Sequence, residues 1–110
     1  MRTVVVIGHE GMGDGDAVLG QKILGTFLRK ATSLHQLSAV VFFNAGVKLL
    51  VRGGALLPEL QQLHEAGVDL VACGTCVDYF DLRSEIAVGQ IGGMDDILRE
   101  LDRAEKTITL

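Results

Sequence analysis

Thr3-Val4-Val5-Val6-Ile7, followed at once by Gly8-His9-Glu10-Gly11-Met12-Gly13-Asp14-Gly15-Asp16, is the stretch on which the fold turns. A β-branched, apolar run without alternation describes a strand buried on both faces, as in a parallel sheet. The glycines break it. From Asp16 the period changes, and Val18, Leu19, Ile23, Leu24, Phe27 and Leu28 recur at helical spacing. Asp14 or Asp16 is the expected N-cap, because a carboxylate there accepts from free backbone amides. The helix is expected to end near Thr32.

The same alternation continues outward. Ala39 to Phe43 reads as a second buried strand, broken by Asn44-Ala45-Gly46. Val47 to Val51 reads as a short helix ended by Gly53-Gly54. Leu56 to Ala66 reads as a helix with Pro58 in its first turn and Gly67 at its C-cap. Val68 to Ala72 is a third buried strand, and Cys73-Gly74-Thr75-Cys76 follows. Cys76 to Phe80 is expected to be a short helix and Ile86 to Val88 a short strand. Met94 to Ala104 is expected to be a helix with Met94, Ile97, Leu98 and Leu101 on its apolar face. Thr107 to Leu110 is the expected last strand. Strands alternating with helices imply βαβ units, an α/β fold with a mainly parallel sheet of about five strands covered on both faces. The whole chain, 1–110, is expected to be a single domain.

Composition narrows the function classes. With 48% hydrophobic and 22% charged residues, a packed core is attainable and disorder is not expected. Only Phe 4 and Tyr 1 are aromatic, so the core must be aliphatic. The net charge of −4 comes with no basic run longer than Arg29-Lys30, which sets nucleic-acid binding aside. Val4 to Ile7 is too short for a secretory apolar region, and no stretch approaches a membrane span. A cytoplasmic location is expected. Thiols are kept reduced there, so closely spaced cysteines point to redox, metal or sulfur chemistry rather than to a structural staple.

Parallel sheets bind ligands beyond the carboxyl ends of their strands. Three loops fall at such ends: Gly8 to Gly15, Asn44 to Gly46, and Cys73 to Cys76. The cysteines directly follow a strand and open a helix. Positive charge at a helix start and free backbone amides favour thiolate. The spacing lets one thiol attack a disulfide or persulfide on the other. Cys73 is expected to bear the sulfur and Cys76 to resolve it; the spacing also admits the reverse order. The bland alternative is a pair of packed cysteines, which behave as small hydrophobes. Zinc is disfavoured: a structural site takes four ligands, and only His9 lies at a strand end near the pair. Neither metal nor cofactor is expected.

The glycine loop lies between a strand and a helix, the context of a phosphate-binding turn, but fails G-x-G-x-x-G because residue 16 is Asp16. Acidic residues at the helix start would also repel phosphate. Asn44 could orient a sulfur anion or could be an ordinary turn residue. Lys48 could bring positive charge near the thiols. Arg52 and Arg83 are expected to be solvated. The candidate site is therefore Cys73 and Cys76, with Asn44, Gly46, Lys48, Gly74, Thr75 and Gly13 for anion or substrate binding.

These segments also carry a resemblance. Gly11-Met12-Gly13-Asp14-Gly15-Asp16 running into Leu19-Gly20-Gln21-Lys22-Ile23-Leu24 is similar to the start of the DsrE-like domain of YedF-type selenium-metabolism proteins. Phe43-Asn44-Ala45-Gly46-Val47-Lys48-Leu49 resembles that group's F-x-N-x-G-V-K-L segment. Ala72-Cys73-Gly74-Thr75-Cys76 with Asp78-Tyr79 resembles its C-G-T-C-x-D-Y segment, and Val88-Gly89-Gln90-Ile91 with Met94 echoes its last motif. The resemblance implies a three-layer α/β/α fold and a sulfurtransferase-like role, in which a cysteine after a strand, here matched to Cys73, carries persulfide sulfur along a relay. It implies a homo-oligomer. The group carries Asn before the methionine of its last motif, where this sequence has Gly93. Its members tend to carry a TusA-like domain with a Cys-Pro motif. The only proline here is Pro58, so a TusA-like sulfur carrier would act as a separate protein.

Two other classes stay open beside a sulfur (or selenium) carrier. One is a non-catalytic oligomeric or regulatory module, which slow thiols would favour. The other is a small-ligand-binding protein using the glycine loop, which an unmoved melting temperature across a nucleotide panel would oppose.

Overall fold

The computed structural model describes residues 2–110; Met1 lies outside the described residues. Apolar β-branched runs become the strands β1 (Thr3–Ile7), β2 (Leu37–Phe42) and β3 (Asp69–Cys73). Two shorter strands, β4 (Gln90–Gly92) and β5 (Lys106–Thr109), complete a sheet in the order β4-β3-β2-β1-β5. Every neighbouring pair runs parallel. The helices are α1 (Ala17–Lys30), α2 (Leu57–Glu65), α3 (Gly74–Tyr79) and α4 (Met94–Arg103). The short helix expected over Val47 to Val51 is a 3-10 helix that starts earlier, spanning Asn44–Leu50.

The pleat sorts the core into two layers. Val5, Ile7, Val40, Phe42, Leu70 and Ala72 face Leu24 and Leu28 of α1, Leu60 and Leu63 of α2, and Val77 of α3. Val4, Val6, Val41, Val71 and Cys73 face the other way, against Ile97 of α4. The result is the expected three-layer α/β/α arrangement, with the first layer much thicker. Asp16 caps α1 by accepting the Leu19 amide at 2.8 Å. Pro58 sits in the first turn of α2. Gly67 leaves that helix at φ +92°, a conformation that favours glycine.

Three expectations are corrected. Ile86 to Val88 is no strand: Ile86 makes one antiparallel bridge to Val51. Gly89, at φ +85°, then turns the chain so that β4 starts at Gln90 beside β3. On α4, Met94 and Leu98 are exposed at 53% and 57%, and the buried stripe runs through Ile97, Glu100 and Leu101. Glu100 takes the inward position because Arg2 and Arg103 pair with it there. On α1, Val18, Leu19 and Ile23 are exposed, and Gly20, Leu24 and Leu28 form the buried stripe.

Candidate functional site

The parallel sheet puts the end of β3 beside the end of β2. Two elements meet at that edge: the start of α3, which carries the cysteines, and the 3-10 segment after Phe43. α3 begins at Gly74, not at Cys76 as expected, so Cys73 closes the strand and Cys76 lies in the first turn of the helix. Gly74 permits the tight entry: a Cβ there would lie 3.3 Å from the Gly92 carbonyl oxygen of β4.

The two thiols sit in different surroundings. Cys73 shares the pleat position of Val71 and is 2% exposed, within the layer under α4. Cys76 is partly buried and lines a cavity of about 420 Å³ with Asn44, Thr75, Tyr79 and Phe80. Neither cysteine is in a disulfide.

Asn44 meets Cys76 through its backbone. Its N–H donates to Cys76 Sγ at 3.0 Å. The residue sits at φ +51°, a left-handed conformation that asparagine tolerates better than most residues. Its side-chain Oδ1 accepts from the Ala45 amide at 2.8 Å, which fixes the turn. Gly46 presses that turn onto β1, since a Cβ there would lie 2.3 Å from the Ile7 carbonyl oxygen. Burial pushes the Cys76 thiol above its ordinary range; the Asn44 amide pulls it back, and the neighbouring Cys73 thiol adds to the upward push. The net upward shift runs against the thiolate expected from the helix start; the Asn44 amide is the contact that favours the anion, and the neighbouring Cys73 thiol is placed for sulfur exchange with Cys76.

The other expected residues divide. Thr75 lines the thiol cavity and Gly74 sets the helix start. Lys48 is not in that cavity: its Nζ lies 4.3 Å from the centre of the Phe80 ring, on the side of a neighbouring cavity. Gly13 lies apart, in a third cavity formed by the glycine loop and the start of α1. So two of the three strand-end loops converge on the thiols. The glycine loop folds back instead, with the Met12 amide donating to the Gly20 carbonyl at 2.9 Å. Arg83 pairs with Asp78 and holds its carboxyl below the usual carboxylate range. Among the described residues no group of three or more His, Cys, Asp or Glu is placed to hold a metal ion.

The sequence reading missed Tyr79 and Phe80 as cavity walls. The signal was there in part: Tyr79 follows Cys76 at helical spacing and is the only tyrosine.

The whole chain, residues 1–110, matches the model of the DsrE/DsrF-like family. The chain belongs to the DsrE/DsrF-like family. Solved structures carry the same fold. The ychN protein of E. coli is 19% identical and superposes with a TM-score of 0.73 over 100% of both chains. MTH1491 of Methanobacterium thermoautotrophicum is 21% identical, with a TM-score of 0.74 over 99% of this chain and 98% of that one. BT1422 of Bacteroides thetaiotaomicron is 18% identical, with a TM-score of 0.60 over 98% and 94%. Both of the latter are described as proteins of unknown function. No curated protein matches the chain. DsrE-like proteins are generally linked to sulfur relay. Among the described residues no helix is long and apolar enough to cross a membrane.

Proposed function

We propose that this protein is a sulfurtransferase-like carrier that accepts sulfane sulfur, or selenium, as a cysteine persulfide and relays it to a partner protein. The observation that carries this reading is the Asn44 amide 3.0 Å from Cys76 Sγ, in an open cavity with a second thiol behind it. Burial supports an order opposite to that expected from sequence: Cys76 accepts first, and Cys73, at 2% exposure, is the second thiol. The resemblance to YedF-type proteins, whose members tend to carry a TusA-like domain, supports a TusA-like carrier as the partner.

The test is the intact mass of reduced protein after incubation with inorganic polysulfide, on the wild type, Cys73→Ser and Cys76→Ser. A gain of one sulfur atom that survives Cys73→Ser and vanishes in Cys76→Ser supports the carrier and the order. Loss in Cys73→Ser alone reverses the order. No gain in any form, with Cys76 still open to alkylation, refutes the carrier.

The exposure of Val18 (82%), Leu19 (55%) and Ile23 (41%) on α1 supports self-association, because a monomer gains by covering clustered apolar side chains. Light scattering should give a mass above one chain, reduced by Val18→Glu; a monomeric wild type refutes it.

A further inference from the structure

A second cavity, of about 480 Å³, adjoins the thiol cavity, and Phe80 lines both. Lys48 and Arg52 line it, and so do Glu10 and Gln21. Among the described residues neither cation forms an ion pair; the Lys48 ammonium rests on the Phe80 ring. In a chain of net charge −4, two cations left without carboxylate partners in one concavity favour an anion. Glu10 adds one carboxylate that suits an ammonium.

We propose that this cavity is the docking subsite for a zwitterionic, carboxylate-bearing persulfide of peptide size, the sulfur donor for Cys76. Lys48 and Arg52 take its carboxylates, and Glu10 takes its ammonium. The width of the Phe80 ring separates this subsite from the thiol cavity, so charge and sulfane sulfur must be well separated in the donor. Thiosulfate, whose charged oxygens lie only two bonds from its outer sulfur, does not meet that requirement. The step rests on the persulfide-carrier reading and balances simply. The Cys76 thiolate attacks the outer sulfur of R–S–SH; a new S–S bond forms as the donor S–S bond breaks. Cys76–S–SH results, and R–S⁻ leaves to take a proton from water. The sulfane sulfur moves without any outside oxidant or reductant.

Two measurements on the full chain test this. S-methylglutathione, which carries the charges but no sulfane sulfur, is titrated by NMR chemical shift. Glutathione persulfide and thiosulfate are compared as donors by intact mass. S-methylglutathione is expected to shift amides around Gly53 and Phe80. Arg52→Gln, at an exposed side chain that forms no ion pair among the described residues, is expected to weaken it about fivefold, the upper range for a solvent-exposed ion pair. Lys48→Gln with Arg52→Gln is expected to weaken it about twentyfold. Glutathione persulfide is expected to load Cys76 at least about tenfold faster than thiosulfate, a preference lost in the double variant. Absent binding at millimolar ligand, binding unmoved in the double variant, or faster loading from thiosulfate would each overturn the proposal. Variant-sensitive binding with no loading from either donor would support the anion subsite and overturn the carrier reading instead.

Discussion

Replacing Gly46 with alanine should unsettle both the fold and the thiol. The added Cβ would lie 2.3 Å from the Ile7 carbonyl oxygen and 3.0 Å from its carbon. That carbonyl cannot swing aside freely, because it ends β1 and accepts the Phe43 amide at 3.2 Å. Overpacking against fixed backbone costs about 3 kcal/mol at the upper end of its usual range. Against this, alanine narrows the unfolded ensemble, a gain of about 0.7 kcal/mol. The expected net loss is about 2 kcal/mol. For a chain of this length the unfolding entropy is about 0.23 kcal/mol/K, so the melting temperature should fall by about 9 °C. The relief available to the chain is to lift the 3-10 segment off β1, which draws the Asn44 amide away from Cys76. Because that amide lowers the Cys76 pKa, its loss should move the midpoint of Cys76 alkylation upward. Calorimetry and iodoacetamide kinetics across pH measure both effects. A melting temperature within about 2 °C of wild type, with an unmoved alkylation midpoint, would refute the close approach of Gly46 to β1 as the device that sets the site.

Four further outcomes are expected. Cys73→Ala should lower the alkylation midpoint of Cys76, because the Cys73 thiol helps to raise it; an unchanged midpoint would show that burial, opposed by the Asn44 amide, sets the shift without Cys73. In the wild type that raised pKa favours the protonated folded state, so its stabilisation is complete below the unfolded thiol value of about 8.5 and is lost as pH rises through the folded value. Urea titrations on either side of pH 8.5 should show this, and the difference should vanish in Cys76→Ser. Gly93→Asn should stabilise by a few tenths of a kcal/mol, roughly 1–2 °C, by adding a side-chain cap to α4; calorimetry giving a lower melting temperature would oppose this. Glu100→Ala removes the carboxylate that Arg2 and Arg103 share and should cost about 1–2 kcal/mol by urea unfolding, whereas a surface-like change under 0.5 kcal/mol would refute its structural role.

Most of the framework could be read from unbroken apolar runs. Thr3 to Ile7 admits only one reading, because β-branched residues without a polar face suit a strand covered on both sides. β4 was not legible, since Gln90-Ile91-Gly92 has no strand pattern and joins the sheet only because Gly89 turns the chain beside β3. The inward face of α4 was misjudged because hydropathy ranks Met94 and Leu98 above Glu100. The buried charge is held by Arg2, 98 residues away in sequence. At the site, residue types placed Cys73, Cys76 and Asn44 together. Which thiol is open depends on strand parity: counting back from Cys73 puts it with Val71, and the structure shows that this layer is the one under α4. The Asn that the resemblance to YedF-type proteins implies, where this sequence has Gly93, would fall at the N-cap of α4. There the Gly93 amide is met by Asp96 at 2.8 Å. The departure thus bears on a helix end, not on the thiols.

The unequal exposure of the two sulfurs also makes the chain its own gauge of integrity. A chromogenic disulfide reagent added to the native protein should titrate one thiol quickly, while the second waits for the layer between β3 and α4 to open. The slow phase therefore reports how often that layer breathes, and a preparation that shows two fast equivalents has lost its packing even where its helices persist.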